Sequence, residues 1–171
     1  MGSNITEHII RFVGLVLLQV FILNNINFGG FLNPLIYVLF ILSLPLETPR
    51  ALTLILGLIL GLTIDIFTRT LGMHTMATIA LAYFRPIVLN YIEPRDGYEV
   101  GMRANIADFG YAWYLSYSAV LIFAHHLILF SVETFRLQEF GWVLLKTALS
   151  TLVSLVFILA FQLIAKRRAI T

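Results

Sequence analysis

ALTLILGLILGLTIDIF, residues Ala51 to Phe67, is an almost unbroken apolar run with a single acid, Asp65, near its end. It approaches the roughly 20 residues that a helix needs to cross about 30 Å of hydrocarbon. Gly57, Gly61 and Asp65 recur every four residues, so on a helix they share one face. The two glycines let a second backbone approach closely, and the carboxylate needs shelter from lipid. The stripe therefore predicts a membrane helix packed against protein, in its own chain or in a partner.

Composition extends this reading to the whole chain. Of 171 residues, 60% are hydrophobic and 12% charged. Soluble domains carry about 45–50% apolar and about 25% charged residues. One membrane domain over residues 1–171 is expected, since no Gly-, Ser- or Pro-rich linker divides it. The net charge of +2 provides no basic stripe for nucleic acid. Without cysteine there is neither a disulfide framework nor a thiolate site. No cofactor-binding pattern is present, and no cofactor is expected.

Six membrane-spanning helices are expected, at about residues 9–28, 31–46, 51–67, 71–92, 108–130 and 140–165. Phe12–Leu23 resembles a signal-peptide core, but Asn24, Asn25 and Asn27 follow where small cleavage-site residues would stand, so it reads as a retained first span. The second span is short and has Pro34 and Pro45 at its ends. A full span is the preferred reading and a re-entrant segment the other. The runs are continuous rather than alternating, which argues against a β-barrel. With six spans, Arg11, Arg50, Arg95, Arg103, Lys166, Arg167 and Arg168 fall on one side, and Arg69 and Arg136 on the other. The positive-inside rule then puts both termini in the cytoplasm, together with the loop at 93–107.

Several polar residues lie at membrane depth. Asp65, His74, His125, His126, Lys146, Asn24 and Asn25 would form a layer near the outer boundary, with Asp65 paired to Lys146 or Arg69. One reading makes this layer a pocket or partner surface; the other makes it an interfacial belt in contact with water and headgroups. His125 and His126 are adjacent, so they point about 100° apart on a helix and do not chelate one metal. Arg85 precedes Pro86, which frees the carbonyl of Ala82. Arg85 would satisfy freed carbonyls, with mid-span Gln19 as a candidate neighbour. Ser116, Ser118 and Ser131 sit in no nucleophile elbow, so no catalytic set is expected.

On LLQVFILNNINF (Leu17–Phe28), LPLETPR (Leu44–Arg50) and GLILGLTIDIFTRTLGMHTMATIALAYFRP (Gly57–Pro86), the chain resembles the MreD family of rod-shape-determining membrane proteins. The positions that match the motif are Gly57, Gly61, Asp65, Leu71, Gly72 and Arg85. The resemblance implies a non-enzymatic component of the bacterial cell-wall elongation machinery in the cytoplasmic membrane. It implies direct association with MreC. At the level of the complex it implies MreB, RodA and a penicillin-binding transpeptidase, with a homo-oligomer possible. It also implies a fold similar to the substrate-binding subunits of energy-coupling-factor vitamin transporters, so a small-molecule-binding subunit is the alternative. A membrane-embedded enzyme is the least favoured class.

Overall fold

The structure, a computed structural model, describes residues 5–26, 32–99, 101–135 and 137–168, with Leu137 and residues 165–168 as backbone only. It is helical, and no β-strand forms among the described residues. Helix α1 (Ile5–Leu17) continues through a π-helical turn (Leu18–Ile22) and a 3-10 turn (Leu23–Asn25). A short α2 (Leu39–Leu42) interrupts an otherwise irregular segment. Then come α3 (Arg50–Thr68), α4 (Met73–Tyr91), α5 (Ile106–Thr134) and α6 (Phe140–Arg168). The stretches Ile5–Asn25, Arg50–Thr68, Ile106–Thr134 and Phe140–Ile164 are long and apolar enough to cross a membrane. Helix α4 is as long as α3, but His74, Thr75, Thr78 and Arg85, all buried, make it more polar.

The expected second helical span, 31–46, is corrected. Among the described residues 32–46, only Leu39–Leu42 is α-helical; the others are irregular or turned. This segment nevertheless traverses the bundle. Its early part meets Gln19 and Ser150, while its late part meets Arg11, Arg85 and Arg103. Leu35 to Leu42 are all buried, with Ile36, Tyr37, Val38, Ile41 and Leu42 at 0–1% exposure. Pro34 lacks an N–H and disfavours the helical region for the residue before it. Away from lipid, non-helical backbone is tolerated at membrane depth when protein satisfies its polar groups. Among the described residues, helices α1, α3, α4, α5 and α6 thus surround one irregular segment, the broken crossing.

Arg11, Ser43, Arg103 and Glu7 gather at one end of the bundle, which we call the arginine end. Asn24, Asp65, His74 and Glu133 gather at the other. Helix α1 starts at the arginine end and α6 finishes there, with Gln162 donating to Tyr114 Oη at 3.0 Å. Phe28, Phe31 and Arg136, used above to bound spans or count charges, lie outside the described residues, as do the side chains of Lys166, Arg167 and Arg168.

Candidate functional site

The glycine-and-acid stripe faces α4. A Cβ on Gly61 would run into Thr75 Cα and lie 2.9 Å from Thr75 N; one on Gly57 would lie 3.0 Å from Ala82 Cβ and 3.2 Å from Thr78 O. The glycines therefore set how closely α3 and α4 approach. Asp65 then reaches the first turn of α4, where the N–H groups have no intrahelical acceptor. Its Oδ1 accepts from His74 N at 3.0 Å and Thr70 Oγ1 at 2.5 Å; its Oδ2 accepts from Thr75 N at 2.9 Å and Thr75 Oγ1 at 2.6 Å. His74 Nδ1 lies 3.1 Å from Oδ1. An acid delivered by α3 thus caps α4, in charge-assisted bonds and at the favourable end of the helix dipole.

This corrects the expected pairing of Asp65 with Lys146 or Arg69. Lys146 donates to Glu133 at 2.9 Å and sits 4.2 Å from the centre of the Phe130 ring. Arg69 terminates α3 in the left-handed conformation, φ 57°. Gly72, φ 85°, makes the entry into α4, where a Cβ would be strained. Leu71 is 98% exposed and so takes no part in packing among the described residues.

Gln19, Ser150, Ser154 and Arg85 serve the broken crossing. Gln19 Oε1 accepts from Ile36 N at 2.8 Å, and its Nε2 donates to Pro34 O at 3.1 Å. Ser150 and Ser154 of α6 accept from Asn33 N and Leu35 N. Arg85 Nη2 donates to Leu44 O at 2.6 Å and Pro45 O at 3.2 Å, and its Nε donates to Tyr117 Oη at 2.9 Å. Tyr117 in turn donates to Leu42 O. Two further expectations are corrected here. Arg85 serves carbonyls of the second crossing rather than that of Ala82, and Gln19 is not its neighbour. They work at opposite stretches of one irregular segment.

The expected outer layer divides in two. Asn24, Asn25, Thr70, His74 and Glu133 line a cavity of about 550 Å³ at the Asp65 end. His125 and His126 lie behind it, fully buried, and are not interfacial. His125 Nε2 is 2.8 Å from Tyr37 Oη, and its Nδ1 has no partner. His126 Nδ1 lies 2.8 Å from Ile122 O and must donate to it, so Nε2 accepts from Ser154 Oγ at 3.2 Å. No group of three or more metal-ligating side chains forms among the described residues.

Sequence reasoning missed Thr70, Thr75, Ser150, Ser154, Tyr37 and Tyr117. The hydroxyls of α6 carried a signal: Thr147, Ser150, Thr151 and Ser154 recur at helical spacing on one buried face. Compared with models of known families, with curated proteins and with solved structures, the chain matches none.

Proposed function

We propose that the chain is a membrane scaffold of the MreD kind, in the bacterial cytoplasmic membrane, holding MreC within the elongation complex and linking MreB filaments to RodA and its transpeptidase. The observation that carries this reading is how the buried polar groups are employed. Asp65, Gln19, Arg85, Ser150 and Ser154 all bond backbone groups and so fix one rigid arrangement. That is the equipment of a platform, and it leaves the outer faces for docking.

The glycine stripe is occupied by α4, so a partner helix would use the opposite flank of α3. There Leu52, Ile55, Ile59, Leu62 and Ile66 are exposed at alternating intervals of three and four residues. This is the spacing with which one helix seats knobs in the holes of another. The single span of MreC would lie along it. By the positive-inside rule the arginine end faces the cytoplasm, which brings the loop at 93–107 toward MreB.

The test is affinity purification in mild detergent from a rod-shaped bacterium. MreC is expected with the native chain and lost from an Ile55→Trp, Leu62→Trp double variant, whose changes lie on the exposed flank and spare the fold. Recovery of the chain without MreC, or an unaffected double variant, sinks the reading.

The cavity at the Asp65 end favours a second reading, a small-molecule-binding transporter subunit. Its polar rim of Asn24, Asn25, Thr70, His74 and Glu133 suits a compact polar ligand. That reading requires a ligand bound at low concentration and uptake dependent on an ATPase. Purified protein without ligand, together with cells without an uptake defect, removes it.

A further inference from the structure

At the arginine end a groove of about 730 Å³ opens between α1 and α6. Its mouth is built from three charged side chains. Glu7 Oε1 accepts from Arg11 Nη2 at 2.8 Å and from Arg103 Nη1 at 3.1 Å. Arg11 is steadied from behind by Ser43, whose Oγ accepts from Nη1 at 3.0 Å. One carboxylate oxygen thus stands between two guanidiniums, with a net charge of +1 among the three. Below this mouth the lining turns apolar: Leu15, Leu18, Leu39 and Phe161. Gly14 widens the passage, since a Cβ there would meet nothing within 4 Å. Leu18 lies about 10 Å below Arg11, at about 1.5 Å per residue.

We propose that this groove holds one anionic phospholipid of the adjacent leaflet, its phosphate between Arg11 and Arg103 and one acyl chain running past Gly14 and Leu18. Charge selects the occupant. Two fork-shaped guanidiniums side by side match the phosphodiester oxygens, and their net positive charge disfavours a zwitterionic headgroup, which adds a cation to the same phosphodiester. Basic pockets between helices at the cytoplasmic boundary take anionic headgroups in this way. The apolar floor selects a lipid over a soluble phosphate. Glu7 holds the two arginines together when the site is empty and competes with phosphate for the same donors. The proposal rests on the chain lying in a membrane, and it is independent of which protein partner it serves.

Native mass spectrometry of the full chain in detergent, with phosphatidylglycerol or phosphatidylcholine added, tests it. One phosphatidylglycerol per chain should be retained at least tenfold better than phosphatidylcholine. Arg103→Ala should abolish that preference and Arg103→Lys should restore part of it; Arg103 is half-exposed in a loop, so the fold survives both. Gly14→Leu should fill the groove and cut retention several-fold without lowering the thermal midpoint of the lipid-stripped protein. Glu7→Gln should raise retention by removing the competitor. Equal retention of the two lipids would mean adventitious annular lipid only and overturn the proposal. Retention unchanged in Arg103→Ala and Gly14→Leu would overturn it too, as would inorganic phosphate competing as well as the lipid. A co-purifying protein helix that excludes phosphatidylglycerol from the groove would also overturn it.

Discussion

Asp65 holds both donors of Thr75, the backbone N–H at 2.9 Å and the hydroxyl at 2.6 Å, across the turn that joins α3 to α4. The acid that seemed to need an ion partner in the membrane is instead held by a helix N-terminus and two threonine hydroxyls. Asp65→Ala leaves the N–H groups of His74 and Thr75 without acceptors. A cap is worth about 0.5–2 kcal/mol and a buried orphan donor about 1–3 kcal/mol. The expected loss is about 2 kcal/mol, read as a lower thermal midpoint in detergent. Asp65→Asn should lose less, because its carbonyl oxygen still accepts from one N–H. A midpoint unchanged in Asp65→Ala refutes the cap.

The glycines of α1 and α3 should respond to alanine in a fixed order. At Gly61 a Cβ meets the backbone of Thr75, so the two helices must separate. Overpacking of this kind costs about 1–3 kcal/mol. At Gly57 the neighbours are Ala82 Cβ at 3.0 Å and Thr78 O at 3.2 Å, and a shift of a few tenths of an ångström suffices. At Gly14 there is open space, and alanine should stabilise by up to about 1 kcal/mol through helix propensity. Thermal midpoints should therefore rank Gly14→Ala above the native chain, then Gly57→Ala, then Gly61→Ala. Any inversion of the last two contradicts the α3–α4 contact.

Four of the long helices were legible to within a few residues, because α3, α5 and α6 are apolar runs of membrane length and α4, though more polar, is as long as α3, with Arg, Pro and Gly punctuating them. The broken crossing was not. A segment such as LIYVLFIL, buried on every side, shows no period, and a buried helix and a buried extended chain then look alike. Its partners were equally hidden. That Gln19 serves Ile36 and Arg85 serves Leu44 depends on how the crossing threads the bundle, which no local spacing encodes. Asp65 stood out at once, yet its acceptor role was missed because charge suggested charge. Thr70 and Thr75, hydroxyls placed within the turn and the first turn beyond it, were the available clue.

Gln19 supplies the acceptor for Ile36 N at 2.8 Å, and Tyr37 N lies 3.4 Å from the same oxygen. Gln19→Leu keeps the volume but removes that acceptor, with nothing in the crossing able to replace it. The amides of Ile36 and Tyr37 should then exchange hydrogen at least tenfold faster, while those in the middle of α3 and α4 change little. Uniform acceleration across the chain would mean that Gln19 acts on the whole fold rather than on the crossing.

Tyr98, in the loop between α4 and α5, donates to Leu89 O at 2.7 Å and packs against Phe109 and Trp113. Burial, with Glu93 adding to it, pushes its hydroxyl up to about 12 from the usual 10. The folded loop thus favours the neutral phenol. Its contribution is fully present below pH 10 and fades as pH rises from about 10 to 12. Limited proteolysis of the 93–107 loop should accelerate across that window in the native chain. Tyr98→Phe should cut at a pH-independent rate there; an identical alkaline rise in the variant would exclude Tyr98 as the cause.

Arg85 and Tyr117 form a relay: Arg85 Nε donates to Tyr117 Oη, which donates to Leu42 O, while Arg85 Nη2 serves Leu44 and Pro45. Among the described residues no acid lies within ion-pair distance of Arg85, so its charge is held by carbonyl oxygens and a phenol. Lysine has no second arm to reach both Tyr117 and the carbonyls. Arg85→Lys should therefore destabilise, by about 1–3 kcal/mol for the orphaned groups. Tyr117→Phe should cost a similar amount, since it strips a partner from Leu42 O and from Arg85 together. Because both changes break one network, the double variant should lose clearly less than the sum of the singles. A double-mutant cycle on thermal midpoints in detergent decides it, and strict additivity would mean that the two residues act apart.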